Sequence, residues 1–296
     1  MNAEGLTRVA VIGAGQMGSG IAQVFCLAGV DVSVCDATPE RADAGVRGVL
    51  GRLERLAQKG KLEPSQLEGS RQRLRAVSFE AALAEAELVV EAATEDPALK
   101  IQLFKRADAA APAGAVLASN TSSISITRLG AATTRPDRVV GMHFMNPVPL
   151  MKLVEIVRGV ATSQGTLDLI FGLCKRLDKT PILSADSPGF IVNRMLLPFL
   201  NEACFALQEG VGSAEDIDQG ARLGLNHPLG PLELADLIGL DTVLAIAEVL
   251  HREIGDDKYR PPTLLRNLVA AGYLGKKSGR GFYSYDAQGQ KRGTNT

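Results

Sequence analysis

Two residues in the segment Gly141-Met142-His143-Phe144-Met145-Asn146-Pro147-Val148-Pro149-Leu150-Met151-Lys152-Leu153-Val154-Glu155-Ile156-Val157 are out of keeping with their neighbours. His143 is one of three histidines in the chain and sits among Gly, Met and Phe. Glu155 lies inside Leu153–Val157, a run apolar enough to be buried, where a carboxylate is costly unless it has a partner. Each residue can answer the other's problem. Imidazole changes charge near neutral pH and can take or return a proton during an alcohol oxidation. A buried carboxylate on its second ring nitrogen would fix the tautomer and stabilise the imidazolium. His227, before Pro228, and His251, in a helical stretch, read as structural.

A second group of residues suits a dinucleotide. Gly13-Ala14-Gly15-Gln16-Met17-Gly18 follows the first strand pattern and opens the first helical one. Gly13 and Gly15 permit a tight turn and close approach of backbone to a pyrophosphate, Gly18 lets helix and sheet pack closely, and the helix N-terminus faces the anion. Asp36 ends the second strand pattern eighteen residues after Gly18, where its carboxylate can accept the ribose hydroxyls. A 2′-phosphate would be repelled there, so NAD is expected over NADP. The nearest arginine downstream is Arg41.

These groups need a scaffold that brings strand ends together. Arg8–Ile12, Val32–Cys35, Leu88–Val90, Ala115–Ala118, Val139–Met142, Lys152–Val157 and Pro181–Leu183 read as strands. They alternate with helical patterns at Met17–Ala28, Pro39–Gln58, Pro97–Ala110 and Thr166–Leu177. Such alternation predicts an α/β fold with a mainly parallel Rossmann-type sheet, in which ligands bind beyond the carboxyl ends of the strands. Polar residues follow several of these ends: Glu91 to Glu95, then Ser119-Asn120-Thr121-Ser122-Ser123, then His143 and Asn146. Ser122 can either donate to a substrate oxygen or cap the following helix. After Ser184-Ala185-Asp186-Ser187-Pro188-Gly189 the patterns are helical to about Ala271, ending in a Gly-rich tail. We expect a nucleotide-binding domain over 1–185 and an all-α domain over 186–296. Asn193, buried by pattern in the latter, needs a polar partner or a role. On the helix at 46–61, Arg52, Arg55 and Lys59 share one face. That face is either simply solvated or a landing strip for a phosphate-bearing carrier such as coenzyme A.

Composition narrows the function classes. The net charge of −1 argues against a nucleic-acid partner. No apolar run is long enough to span a bilayer, the best being broken by Asn193, Arg194, Pro198, Asn201 and Glu202. No basic or Arg/Ser-rich leader precedes Val9-Ala10-Val11-Ile12, so a targeting segment is not expected. Cys26, Cys35, Cys174 and Cys204 are scattered in apolar contexts without metal-ligand spacing, which predicts buried free thiols, no metal site and a reducing cytoplasm.

Taken together, the motifs resemble the 3-hydroxyacyl-CoA dehydrogenase family, most nearly the bacterial 3-hydroxybutyryl-CoA dehydrogenases. The likeness runs nearly end to end. It rests on Gly13–Gly20 with Ile21-Ala22-Gln23, on Ala118–Ser123, on His143–Pro149 and on Met151–Glu155. It continues through Pro188-Gly189-Phe190-Ile191-Val192-Asn193-Arg194, Gly239-Leu240-Asp241 and Gly275-Lys276-Lys277-Ser278-Gly279. The resemblance implies NAD-dependent, reversible oxidation of an (S)-3-hydroxyacyl-CoA to the 3-ketoacyl-CoA. His143 would be the base, oriented by Glu155, with Ser122 and Asn193 on the reacting oxygen. It further implies Asp36, Glu95, Lys100, Asn146 and Lys277 around NAD, Ser122, Arg52 and Lys59 near coenzyme A, and a homodimer formed through the helical domain. Asp96, Met145 and Leu229 depart from the residues usual at those positions, and Arg52 falls at a position that varies. Two other readings are a dehydrogenase of a free hydroxy acid and a nucleotide-binding protein of crystallin type that has lost catalysis. The latter would have no need of Ser122, His143, Glu155 and Asn193 together.

Overall fold

A computed structural model describes residues 3–294, which divide into two compact units between Phe190 and Ile191. In the first, strands and helices alternate in the order β1 (Arg8–Ile12), α1 (Gln16–Leu27), β2 (Asp31–Cys35), α2 (Pro39–Gln58), α3 (Pro64–Arg73) and β3 (Leu74–Ala76). They continue with α4 (Phe79–Leu83), β4 (Leu88–Glu91), α5 (Pro97–Ala110), β5 (Val116–Ser119) and α6 (Ile126–Gly130). β6 (Val139–Phe144), β7 (Leu153–Arg158), α7 (Gln164–Arg176) and β8 (Thr180–Ala185) complete the unit. The eight strands form one sheet in the order β3-β2-β1-β4-β5-β6-β7-β8. All neighbours are parallel except β6 and β7, which pair antiparallel. That reversal lets residues 145–152 join two adjacent strands without a helical crossover.

Side chains on successive residues of a strand point to opposite faces, so a strand covered on both sides must be apolar throughout. In β1, Val9 and Val11 enter one core and Ala10 and Ile12 the other. In β6, Val140, Met142 and Phe144 pack into the first core, which sends Val139, Gly141 and His143 to the opposite face. Local chemistry sets the helix starts. α2 opens with Pro39 at a position whose N–H would be unpaired anyway, and the Thr38 side chain accepts from the Arg41 N–H. Asp96 opens α5 in the same way, its carboxylate accepting from the Leu99 N–H at 2.8 Å.

The sheet and the helical second unit follow the fold class read from the sequence, with differences at short elements. β3 escaped notice because Leu-Arg-Ala carries no β-branched residue, and β2 rather than propensity holds it in the sheet. β6 runs two residues further than expected, so His143 lies within the strand rather than beyond it. The second unit contains α8 (Val192–Gln208), α9 (Ala214–Gly224), α10 (Pro231–Ile238), α11 (Leu240–Ile254) and α12 (Thr263–Ala270). The Gly-rich tail then forms a small antiparallel hairpin from β9 (Tyr283–Tyr285) and β10 (Lys291–Thr294). All four cysteines are free and buried. Burial pushes the thiols of Cys35, Cys174 and Cys204 up to about 12, so they are inert fillers of the core. Among the described residues no helix is long and apolar enough to cross a membrane, and no group of His, Cys, Asp and Glu could hold a metal ion.

Candidate active site

His143 and Glu155 face each other across the β6–β7 pair as register partners. Nδ1 of the imidazole lies 2.7 Å from Oε2 of the carboxylate. Glu155 is fully buried and His143 nearly so, at 8% exposure. The ring of Phe190 meets the imidazole edge-on at 5.8 Å between centroids. Because the two strands run antiparallel and the partners share a face, the hydrogen bond occupies Nδ1 and leaves Nε2 as the nitrogen available to a substrate. The strand end is itself fixed, since the Phe144 N–H donates to Asn120 Oδ1 at 2.9 Å.

A second cluster stands where β4 and β5 end. Glu95 Oε1 accepts from the Thr121 hydroxyl, from the Ser122 and Ser123 N–H groups at 2.9 and 3.1 Å, and from the Ser123 hydroxyl at 3.1 Å. Ser122 Oγ lies 3.3 Å from the same oxygen. The helix cap that was the alternative for Ser122 falls instead to Ser125, whose hydroxyl accepts from the Arg128 N–H. Burial pushes the Glu95 carboxyl up, but Lys100 and the hydroxyl and amide donors outweigh it and hold the group below the ordinary glutamate value.

Behind this cluster, Lys100 Nζ makes a 2.6 Å ion pair with Glu91 Oε1 and stands 3.4 Å from Glu95 Oε2. The side chains of Lys100 and Glu91 are each 1% exposed, so Lys100 supports the rim rather than lining it. Glu91 also accepts from the Ala93 N–H and the Ser119 hydroxyl at 2.6 and 2.7 Å. Sequence reasoning placed Glu91 in the rim but gave it no task. The available signal was an acid closing an otherwise apolar strand.

The crevice between β1 and β4 is the point where strand order reverses, the usual place for a nucleotide in such sheets. A cleft of about 580 Å³ opens there, lined by Gly13, Gly15, Asp36, Ala37, Arg41, Phe79, Ala93 and Arg106 among others. The glycines pass a direct test of fit. A Cβ on Gly13 would meet the Ala92 carbonyl at 2.6 Å, and one on Gly18 would lie 1.8 Å from the Gly13 carbonyl. A Cβ on Gly15 would meet nothing within 4 Å and would project into open space, where a pyrophosphate needs bare backbone. Asp36 is held ready, its two oxygens accepting from the Ala14 and Ala37 N–H groups at 2.7 Å each. Gln16 Nε2 donates to Asn146 Oδ1 at 3.0 Å, which ties the first turn of α1 to the β6–β7 loop. Met17 packs at the edge of the first core.

The remaining predicted positions are more scattered. Arg52 is half-buried on α2 and its Nε donates to Gln23 Oε1 at 3.0 Å. Burial, then Arg55, pushes its guanidinium below the ordinary value. Lys59 is exposed at the end of the same helix. On the second unit, Asn193 is buried in the first turn of α8, and Lys277 Nζ reaches Asp241 Oδ1 at 2.6 Å. His227 Nδ1 donates to the Leu229 carbonyl at 2.7 Å, and His251 pairs with Asp257 at 3.2 Å.

Known proteins match this arrangement along its length. Residues 8–187 match the model of the 3-hydroxyacyl-CoA dehydrogenase NAD binding domain, and residues 189–285 that of the family's C-terminal domain. A probable 3-hydroxybutyryl-CoA dehydrogenase of Bacillus subtilis is 51% identical over 284 residues, covering 95% of this chain and 98% of that one. A 3-hydroxybutyryl-CoA dehydrogenase of Bradyrhizobium diazoefficiens is 49% identical over 280 residues, covering 95% and 96%. The crystal structure of (S)-3-hydroxybutyryl-CoA dehydrogenase from Ralstonia eutropha superposes with a TM-score of 0.92 at 48% identity, covering 95% of this chain and 99% of that one. With a glycine cradle, an aspartate at the end of β2 and matches that span both units, the chain belongs to the 3-hydroxyacyl-CoA dehydrogenase family and is an NAD-dependent oxidoreductase.

Proposed function

We propose that this protein catalyses the reversible oxidation of a short-chain (S)-3-hydroxyacyl-CoA, of four carbons as in 3-hydroxybutyryl-CoA, to the 3-ketoacyl-CoA. The observation that carries this reading is the 2.7 Å contact between His143 and the fully buried Glu155. It supplies a nitrogen base with a fixed tautomer at the end of a strand in a sheet built for a dinucleotide. Bound NAD supplies the acceptor for the hydride that leaves C3. His143 Nε2 takes the hydroxyl proton, and Glu155 stabilises the imidazolium that results; in the reverse direction the imidazolium returns the proton to the ketone oxygen. Ser122 donates to that oxygen from a turn whose backbone Glu95 clamps. Asn193 and Lys277 keep the roles implied by the resemblance, and Arg52 and Lys59 offer cations to the phosphates of coenzyme A.

Met195, Leu223, Leu225 and Leu237 of the helical unit are between 57% and 77% exposed, which supports pairing of two copies through that unit. The free buried thiols suit a reducing compartment such as the cytoplasm. The deciding experiment compares NADH oxidation with acetoacetyl-CoA, with longer 3-ketoacyl-CoAs and with free acetoacetate. Turnover on acetoacetyl-CoA that exceeds the other two supports the proposal. Equal or faster turnover on free acetoacetate overturns the carrier assignment.

A further inference from the structure

Asp36, the carboxylate expected at the ribose, is itself ion-paired to an arginine. Arg41 Nε lies 3.3 Å from Asp36 Oδ1, with the arginine 68% and the aspartate 11% exposed. Arg41 lines the same cleft as Asp36 and Gly15, and it also lines a neighbouring groove with Gln16 and Arg52. The other arginine of the cleft, Arg106, is already committed: it stacks on Phe79 at 4.1 Å and pairs with Glu80 at 2.9 Å. Arg41 has no such competing partner within the cleft. Its position follows from the fold, because Thr38 caps α2 on the Arg41 N–H and Pro39 opens the helix, so the side chain leaves the first turn toward the end of β2.

We propose that Arg41 is a latent ligand for the 2′-phosphate of NADP, and that Asp36 alone holds the chain to NAD by repelling that phosphate and occupying Arg41. A carboxylate in this place hydrogen-bonds a free ribose 2′-hydroxyl, whereas a nearby arginine accommodates a 2′-phosphate. This chain carries both, ion-paired to each other. Removing the carboxylate frees the guanidinium and uncovers the Ala37 N–H, which now donates to Asp36 at 2.7 Å. Arginine and a backbone N–H are together a sufficient donor set for a phosphate dianion. Asp36 and Arg41 are therefore specificity-determining residues acting as one unit.

The test is equilibrium binding of NADH and NADPH, followed by nicotinamide fluorescence without acyl substrate, so that failure of the proposed reaction would not affect it. Wild-type protein should bind NADH more tightly than NADPH. Asp36→Ser should weaken NADH about tenfold and strengthen NADPH at least about tenfold, since one charge-assisted hydrogen-bonding partner replaces another. Adding Arg41→Ala to that variant should abolish the gain. NADPH affinity unchanged by Asp36→Ser, or a gain that survives Arg41→Ala, overturns the proposal. Should Asp36→Ser unfold, Asp36→Asn keeps an acceptor for the Ala14 N–H while removing the charge.

Discussion

Nδ1 of His143 lies 2.7 Å from Oε2 of Glu155, and the two residues are direct register partners on antiparallel strands. In the reaction proposed above, His143 transfers the proton and Glu155 orients the base. His143→Gln should lower kcat by roughly 10²–10⁴-fold, the usual contribution of a general acid–base group. Glu155→Gln should lower kcat by at least about tenfold, because a neutral amide stabilises the imidazolium poorly. In both variants NADH should bind as in the wild type, which fluorescence titration checks. Unchanged kcat in His143→Gln would rule out the assignment.

Lys100 sits between two carboxylates, and its pairing with Glu91 buries both charges. Lys100→Met would leave Glu91 without its cation in the core, a loss of about 3–5 kcal/mol. The double variant Glu91→Gln/Lys100→Met should recover part of this, since the stranded charge is then absent. Urea unfolding measures both, and a single variant within about 1 kcal/mol of wild type would contradict the buried-pair account.

The glycine loop predicts opposite outcomes from neighbouring positions. Gly18→Ala drives a Cβ into the Gly13 carbonyl and should lower both the melting temperature and NADH affinity. Gly15→Ala adds a methyl group to open space on backbone of ordinary conformation, φ −68°. It should leave the melting temperature unchanged and weaken NADH binding alone. Wild-type affinity in Gly15→Ala would show that no ligand approaches there.

Asp236 makes stability depend on pH in the less common direction. It is fully buried and accepts from the Phe282 and Tyr283 N–H groups and the Tyr285 hydroxyl at 2.9–3.0 Å. Burial, aided by Asp218, pushes its carboxyl up from 3.8 to about 6 despite those donors. The native chain therefore holds this proton where the unfolded chain has lost it. The stability from this group is present below 3.8 and is lost as pH rises to about 6. The loss is up to about 3 kcal/mol. The unfolding free energy of wild type relative to Asp236→Asn should fall across that window and be flat above it. A difference that rises with pH would refute the shift.

Much of this protein was legible in its sequence, for reasons that are local. A glycine at each of Gly13, Gly15 and Gly18, an acid after the second strand and proline at the start of α2 and α5 act through nearby backbone, so type and spacing suffice. A carboxylate at Glu155 in a run apolar enough to be buried implied a partner, and pairing with His143 accounted for both residues. Tertiary structure decided the rest. Strand register put His143 and Glu155 on the same face of the sheet; a one-residue slip would have turned them to opposite faces. Strand order brought the ends of β4 and β5 together, so that Glu95 came to hold the Ser122 turn and Lys100 withdrew behind it to Glu91. The Asp36–Arg41 pair likewise depends on how α2 leaves β2. Such contacts join residues whose separation along the chain carries no signal, because packing of the whole sheet determines which side chains meet.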